Sequence, residues 1–198
     1  MIRLSGFFAL ASAPILSAAV LYDESIAGDI SNDHTDPLPL SLGLGENIIS
    51  GTLTSGSDRD LFTLTVPTGL SITDLRVLAF SGGGNASFLF AVPGARLRDS
   101  PDAYIALQND LIGLLQLQRL AQLAVSPGTV GETTLLETFL TGQPFNGVNE
   151  LGEGDYAFWF NETGPDSAYS LAFTVVPEPS TAVLLLSATT LIIRRRRK

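Results

Sequence analysis

The sequence predicts an all-β protein, an antiparallel β-sandwich with one helical insertion, between an N-terminal signal peptide and a short C-terminal membrane helix. Three observations support this fold class. Short segments of alternating apolar and polar residues recur along the chain, and a period of two is typical of half-buried strands. Glycine turns separate several of these segments, as they do in sandwiches. Both ends of the chain are apolar and carry positive charge, which is typical of export and membrane segments.

The first residues have the order of a secretory signal peptide. Arg3 is the only charged residue before Asp23, residues 4–16 are mostly apolar, and residues 17–19 are small (Ser-Ala-Ala), as a signal peptidase requires. We therefore predict a signal peptide over residues 1–19 that is cleaved after its last alanine. A core helix at the N-terminus is the alternative.

The chain between the two ends is long enough for one domain. Residues 20–45 are rich in Asp, Ser and Pro and have little periodicity, so we predict an extended segment that leads into the domain. The sandwich itself is predicted over residues 46–176. The alternation in its last two strands places Phe158 and Phe173 on faces of the same core. The strands are expected at residues 47–54, 60–66, 75–80, 86–92, 156–160 and 169–175.

A different composition interrupts the strands at residues 103–125. This stretch is rich in Leu, Gln and Ala and has no β-branched run, with Gly113 inside it and Pro127 after it. Leucine, glutamine and alanine favour a helix, glycine weakens it and proline stops it. We predict a helical insertion that packs on the protein's own core, and a partner-binding helix is the alternative.

The predicted mature region is strongly acidic. Residues 20–176 contain five arginines, no lysine and nineteen acidic residues, a formal charge of −14. Nucleic acid is not an expected partner, because binding to phosphates needs clustered Lys and Arg. The acidity is expected to keep a secreted protein soluble, and binding of cations or basic polymers is the alternative. The chain has no cysteine, which rules out disulfides, thiol catalysis and cysteine zinc sites.

Groups suited to catalysis are few. His34 is the only histidine and lies in a polar stretch, and the chain contains no G-x-S-x-G motif of the kind that presents a nucleophilic serine. We predict that the protein is not an enzyme and has no cofactor. A hydrolase would instead need two carboxylates that converge in a cleft.

Oxygen ligands for a metal are close together in two loops, residues 29–33 and the stretch that contains Asp58 and Asp60. Calcium prefers such ligands, but neither loop has the EF-hand pattern, and Asp, Ser and Gly are also ordinary turn residues. Asp58 and Asp60 are therefore only weak metal candidates. Because the carboxylates are scattered over many turns, we expect the domain to tolerate Ca²⁺ without needing it.

The C-terminus has three parts in a fixed order. An uncharged stretch, as a helix, would reach only about 21 Å, less than the ~30 Å of a hydrocarbon core. The basic block after it would keep the chain end on the cytoplasmic side, and the prolines before it would hold an extended strip at the membrane surface. The three parts are Pro177-Glu178-Pro179, residues 180–193, and Arg194, Arg195, Arg196, Arg197 and Lys198.

These parts resemble the PEP-CTERM sorting signal of exported Gram-negative proteins, here over residues 177–198 with a membrane helix at 181–193 and a basic tail at 194–198. The resemblance implies export through the Sec machinery, recognition of the Pro-Glu-Pro motif by an exosortase, and transient anchoring in the inner membrane. It also implies removal of the tail and delivery to the cell surface or to an extracellular polysaccharide matrix.

The mature region has a resemblance of its own. Residues 47–52 (NIISGT), 58–67 (DRDLFTLTVP) and 152–159 (GEGDYAFW), closed by 169–171 (YSL), resemble the bacterial pre-peptidase C-terminal domain. That family is a small jelly-roll-like β-sandwich on secreted proteins, often without activity of its own. The resemblance spans residues 46–176 and is interrupted by the predicted helical insertion.

These observations predict a non-catalytic exoprotein with a structural or adhesive role in an envelope or biofilm matrix, where extracellular polysaccharide is the candidate partner. A carbohydrate-binding module is the alternative, and it would present Trp159, Tyr156 or Tyr104 as an exposed aromatic strip beside polar groups. A secreted hydrolase is the third candidate.

Overall fold

The computed structural model describes residues 18–54, 58–81, 88–98, 100, 113–116, 150–161 and 166–178. One short helix and nine strands lie within these ranges. In chain order they are β1 (Ala18–Asp23), α1 (Glu24–Ala27), β2 (Leu38–Ser41), β3 (Gly45–Leu53), β4 (Arg59–Val66), β5 (Leu70–Ser81), β6 (Phe88–Pro93), β7 (Gly113–Gln116), β8 (Gly154–Asn161) and β9 (Ser167–Pro177).

The strands form two sheets. The first sheet has the order β1-β3-β9-β5, and the second sheet has the order β2-β4-β8-β6-β7. One cluster of buried apolar side chains contains residues from both sheets, so the sheets pack face to face as two layers. The predicted all-β sandwich is confirmed at this level.

Two pairings depart from the predicted antiparallel arrangement. β1 is parallel to β3 and β2 is parallel to β4, whereas the other neighbours are antiparallel. The prediction of a wholly antiparallel sandwich is therefore wrong at these two edges. The cause is the path of the chain, which alternates between the sheets from β1 to β4. Each N-terminal strand meets its neighbour after an excursion to the other sheet, so no hairpin reverses the direction.

Residues 20–45 are built into both layers. β1 and β2 each form one edge of a sheet, and Ile30, between them in the chain, is 1% exposed and belongs to the core cluster. The backbone around it also contacts β4, where the N–H of Leu61 donates to the carbonyl of Ser31 at 2.9 Å. The segment that the sequence predicts as an extended lead-in is thus a structural part of the sandwich.

The period-two alternation divides the core face from the outer face. On β8, Phe158 and Phe160 lie in the core cluster, whereas Ala157 and Trp159 lie in a second buried cluster. Phe158 and Phe173 are each 1% exposed, and their ring centroids are 5.5 Å apart in an edge-to-face contact between the two sheets. This contact confirms the prediction that the two residues face the same core.

Part of the outer face of the second sheet is buried as well. Trp159 has 0% of its surface exposed, with the Phe90 ring edge-to-face at 4.5 Å and the Arg59 guanidinium 5.6 Å from the ring. The exposed aromatic strip that a carbohydrate-binding module would need therefore cannot include Trp159. Tyr156 is half-buried, and Tyr104 lies outside the described residues. The members of this outer cluster are Leu61, Phe90, Val92, Leu97, Ala157 and Trp159.

The helical insertion predicted over residues 103–125 is wrong where the structure describes it. Gly113–Gln116 form β7, which pairs antiparallel with β6 at the edge of the second sheet. An edge strand presents unpaired backbone groups, and pairing with them outweighs the weak helical preference of a segment that contains glycine. The rest of the predicted insertion lies outside the described residues.

The predicted targeting segments lie mostly outside the described residues. β1 includes Ala18 and Ala19, so cleavage after Ala19 would leave a strand that starts at Val20. At the other end β9 closes at Pro177, and residues 179–198, with the predicted membrane helix, are not described. Within the described ranges, no helix has the length and apolar character needed to span a membrane.

Candidate functional site

A polar pair lies at one end of the core, between the two sheets. Asp60 on β4 has 0% of its surface exposed, and it shares the strand face of the core residues Phe62 and Leu64. The Tyr169 hydroxyl on β9 donates to Asp60 Oδ2 at 2.5 Å. The Tyr169 ring packs against Phe160 with the centroids 4.4 Å apart. The pair therefore joins the first sheet to the second through a buried hydrogen bond.

Gly51 on β3 makes room for this pair. It lies opposite Tyr169 in the first sheet. A methyl group on its Cα would lie 2.7 Å from the Tyr169 hydroxyl and 3.0 Å from Asp60 Oδ2, closer than the about 3.5 Å of ordinary van der Waals contact. This register position therefore requires a residue without a side chain.

We expect Gly51→Ala to lower the free energy of unfolding by about 1 to 3 kcal/mol, because the added methyl group must displace the Tyr169 hydroxyl or the strand itself. Gly43→Ala is the matched control, since a methyl group there would meet only Asn47 Oδ1 at 3.8 Å. Urea denaturation of both variants measures the difference. If Gly51→Ala proves as stable as the Gly43→Ala control, the close contact between position 51 and the Tyr169 hydroxyl is wrong.

The short helix α1 brings two further carboxylates to this pair. The side chain of Asp23 caps the helix by accepting from a backbone N–H of the first turn. Gly28, at φ +99°, ends the helix in a conformation that suits glycine. Carboxylate oxygens of Glu24, Asp29 and Asp60 then lie within 4.8 Å of one another. We call these three residues the acidic cluster.

Glu24 is the anchored member of the acidic cluster. Its Oε1 accepts from the N–H of Ile30 at 2.8 Å, and its Oε2 accepts from the N–H and the hydroxyl of Thr52 at 2.6 and 3.1 Å. These bonds tie α1 to β3 and fix the carboxylate. Asp29, by contrast, is exposed.

Burial raises the pKa of Asp60 from its ordinary 3.8 to about 8. Loss of solvation is the largest cause, the hydrogen bond from Tyr169 opposes it, and the charges of Glu24, Asp58 and Asp29 raise the pKa further. Burial likewise raises the pKa of Tyr169 well above its usual range. Burial therefore favours the protonated form of the Asp60 carboxyl group.

An open cleft of about 350 Å³ lies beside the acidic cluster. Its walls come from α1, β3 and β9 and include Glu24, Asp29 and Tyr169. Asp60 has no exposed surface. A molecule in the cleft would therefore touch Glu24 and Asp29 without touching Asp60.

The two weak metal candidates have different surroundings. Asp58 Oδ2 accepts from the N–H and the hydroxyl of Thr54 at 2.7 and 3.0 Å, which is ordinary turn chemistry. Asp60 belongs to the acidic cluster. In the other loop, Asp29 belongs to the cluster as well, whereas Asp33 accepts hydrogen bonds within its own turn. Three of the carboxylates thus lie close together at this end of the sandwich, a grouping that the sequence did not predict.

The sequence did not predict Glu24 as a site residue, and it did not predict that Asp60 is buried. One signal was present, because Asp60 is in phase with Phe62 and Leu64 in a strand of period two, which places a charged residue on the core face. A buried carboxyl group needs a polar partner, and Tyr169 is in phase with the core residues of its own strand. For Glu24 no sequence signal exists, since its position depends on how α1 packs on β3.

The other predicted residues that the structure describes do not belong to the acidic cluster. His34 is half-buried in its loop, and Pro177 and Glu178 end the described chain. Pro179, Arg194, Arg195, Arg196 and Arg197 lie outside the described residues.

Comparison with known proteins does not indicate what the acidic cluster does. No protein-family model, curated protein or solved structure matches this chain. The interpretation therefore depends on the chemistry of the site.

The chemistry of the cluster is limited by its accessibility. A buried carboxyl group beside two carboxylates can hold a proton or a cation. However, Asp60 has no exposed surface from which to reach a substrate.

Proposed function

We propose that the protein is an exported, non-catalytic exoprotein that an exosortase sorts and processes, with a structural or adhesive role in the envelope or a polysaccharide matrix. The observation that carries the proposal is the C-terminal sequence, in which Pro-Glu-Pro, an uncharged stretch and five basic residues follow in order. The finer fold assignment, a jelly-roll-like sandwich similar to the pre-peptidase C-terminal domain, belongs to the same proposal.

The position of the motif relative to the fold supports this proposal. Pro177 is exposed, is the last residue of β9 and lies opposite Leu70. The N–H of Glu178 donates to the carbonyl of Gly69 at 2.9 Å. The motif therefore begins on the sandwich itself, in an extended conformation that proline favours. A processing enzyme would meet its first residues at the surface of the folded domain.

The two alternative functions have less support. A carbohydrate-binding strip would use Trp159, Tyr156 or Tyr104, and of these Trp159 is buried. A hydrolase would use two carboxylates that converge in a cleft, and the acidic cluster does bring carboxylates together. However, Asp60 has no exposed surface, and both oxygens of Glu24 accept backbone hydrogen bonds. These contacts favour a structural role for the cluster over acid–base catalysis.

We expect the extracellular form from the native host to end near the Pro-Glu-Pro motif and to lack residues 194–198. Intact-mass spectrometry measures this, and an extracellular form that keeps the basic residues would overturn the proposal. Glu178→Ala should slow or block removal of the tail without changing the melting temperature of the domain, because the hydrogen bond that holds Glu178 to the sandwich comes from its backbone. Glu153→Ala, which removes an exposed glutamate outside the motif, is the control and should be processed normally.

A further inference from the structure

We propose that Glu24, Asp29 and Asp60 form a binding site for a divalent cation, with calcium as the preferred ion. Their carboxylate oxygens lie within 4.8 Å of one another. Two ligands on opposite sides of a calcium ion, each about 2.3 to 2.6 Å from it, are about 4.6 to 5.2 Å apart. The three oxygens therefore already lie within the span that one calcium ion can bridge.

A second observation, independent of the short distances between the carboxylates, is the unpartnered oxygen of Asp60. Its side chain has 0% of its surface exposed, and its Oδ2 accepts from the Tyr169 hydroxyl. Its Oδ1 is buried and has no hydrogen-bond partner among the described residues. Buried carboxylate oxygens normally have a partner, and an unsatisfied one indicates a missing water molecule or ion. A cation held between Asp60 and its two neighbours would be that partner.

The surroundings hold the ligands in place for an ion. The hydrogen bond from Tyr169 orients the Asp60 carboxyl group, and backbone N–H groups of Ile30 and Thr52 orient Glu24. Apart from Glu24 Oε2, which accepts two hydrogen bonds, the carboxylate oxygens of the cluster keep a lone pair that can bind a metal. Hydrogen bonds of this kind orient the ligands of metal sites. The cluster therefore has both the ligands and the supporting shell of a cation site.

Charge also favours a cation. The ion pairs found within the described ranges join Arg76 to Glu46 and to Asp74, and none involves the acidic cluster. Residues 20–176 contain no lysine. Three carboxylates held this close repel one another unless a positive charge or a proton compensates them. A divalent ion would provide that charge.

The open cleft leaves room for the rest of the coordination shell. Calcium takes about six to eight oxygen ligands, and water molecules in the cleft of about 350 Å³ can supply those that the protein does not. Calcium–oxygen distances of about 2.4 Å are shorter than water contacts of about 2.8 Å, so an ion can enter between oxygens that exclude water. Magnesium needs a tighter and more regular set of ligands, which makes it the comparison ion.

The test is a titration of the full chain, in mild detergent, with CaCl2 by isothermal titration calorimetry, together with thermal melts in chelator and in CaCl2 at fixed ionic strength. We expect saturable binding and a melting temperature that rises by more than about 5 °C at a hundredfold excess over Kd. Asp29→Asn should weaken binding by about tenfold or more. In chelator this variant should melt at or slightly above the wild type, because Asp29 is exposed and its charge repels the neighbouring carboxylates.

Asp155→Asn is the matched control, since it removes an exposed carboxylate opposite Thr65, at the other end of β4 from Asp60. It should bind calcium like the wild type. The proposal is overturned if CaCl2 gives neither heat nor a melting shift. It is also overturned if Asp29→Asn binds as tightly as Asp155→Asn, or if MgCl2 produces the same shift in all three proteins, which would indicate screening alone.

Discussion

Phe158→Ala and Phe173→Ala are each expected to lower the free energy of unfolding by about 3 to 5 kcal/mol. Both side chains are 1% exposed, and their rings meet between the two sheets with centroids 5.5 Å apart. Phe158 also stacks on Phe62 at 5.4 Å. Loss of either ring would leave a cavity between two sheets whose backbones are held by hydrogen bonds, so the site can close only in part.

Chemical denaturation measures both effects. Phe80→Ala is the control, because Phe80 is only partly buried against the same core, and we expect it to cost clearly less. The double variant of Phe158 and Phe173 should cost less than the two single variants added together, since the rings contact each other. A loss below about 1 kcal/mol at both positions would show that the strand faces are assigned wrongly.

Stability of the metal-free protein should fall as the pH rises towards 8, because the pKa of Asp60 is raised from 3.8 to about 8 in the folded state. Between these values the folded protein keeps a proton that the unfolded chain releases. The free energy of unfolding therefore falls by about 1.4 kcal/mol per pH unit from this group. The contribution is fully present below about pH 4 and is lost above about pH 8.

Asp60→Asn isolates this contribution, because the amide does not titrate. Urea denaturation in chelator should show the variant gaining stability relative to the wild type between about pH 5 and 8. Other shifted groups act outside this range: the pKa of Asp33 is lowered from 3.8, and the pKa values of Tyr22, Tyr156 and Tyr169 are raised from 10.0. Parallel pH profiles for wild type and variant would contradict the assignment.

Strand positions and strand faces could be predicted because they depend on local patterns. The alternation on β4, β8 and β9 decides which side chains face the core, and Phe62, Phe158 and Phe173 all lie there. Strand pairing is not local. The parallel edges depend on how the chain moves between the sheets, and β7 depends on the free edge of β6. No short window of sequence contains that information.

The acidic cluster could not be predicted from short sequence windows either. In the sequence, Asp60 is a turn residue that could supply oxygen ligands to a metal. Its burial results from its position on the core-facing side of β4. Glu24 is the first residue of α1, and Asp29 follows this helix of four residues. Such a short helix has little stability of its own and depends on bonds such as those from Thr52 on β3 to Glu24. The cluster therefore exists only after the sandwich has formed.

The position of β9 has a consequence for the order of folding along the proposed export route. β9 is the last described strand in the chain, yet it lies between β3 and β5 in the first sheet. On that route, β3 and β5 would have no strand between them until residues 167–177 had crossed the membrane, and the first sheet could not close before then. Pairings between distant segments form slowly, so the chain would remain unfolded while it is translocated. In the proposed export route, closure of the sandwich and arrival of the sorting motif at the membrane then become a single late event.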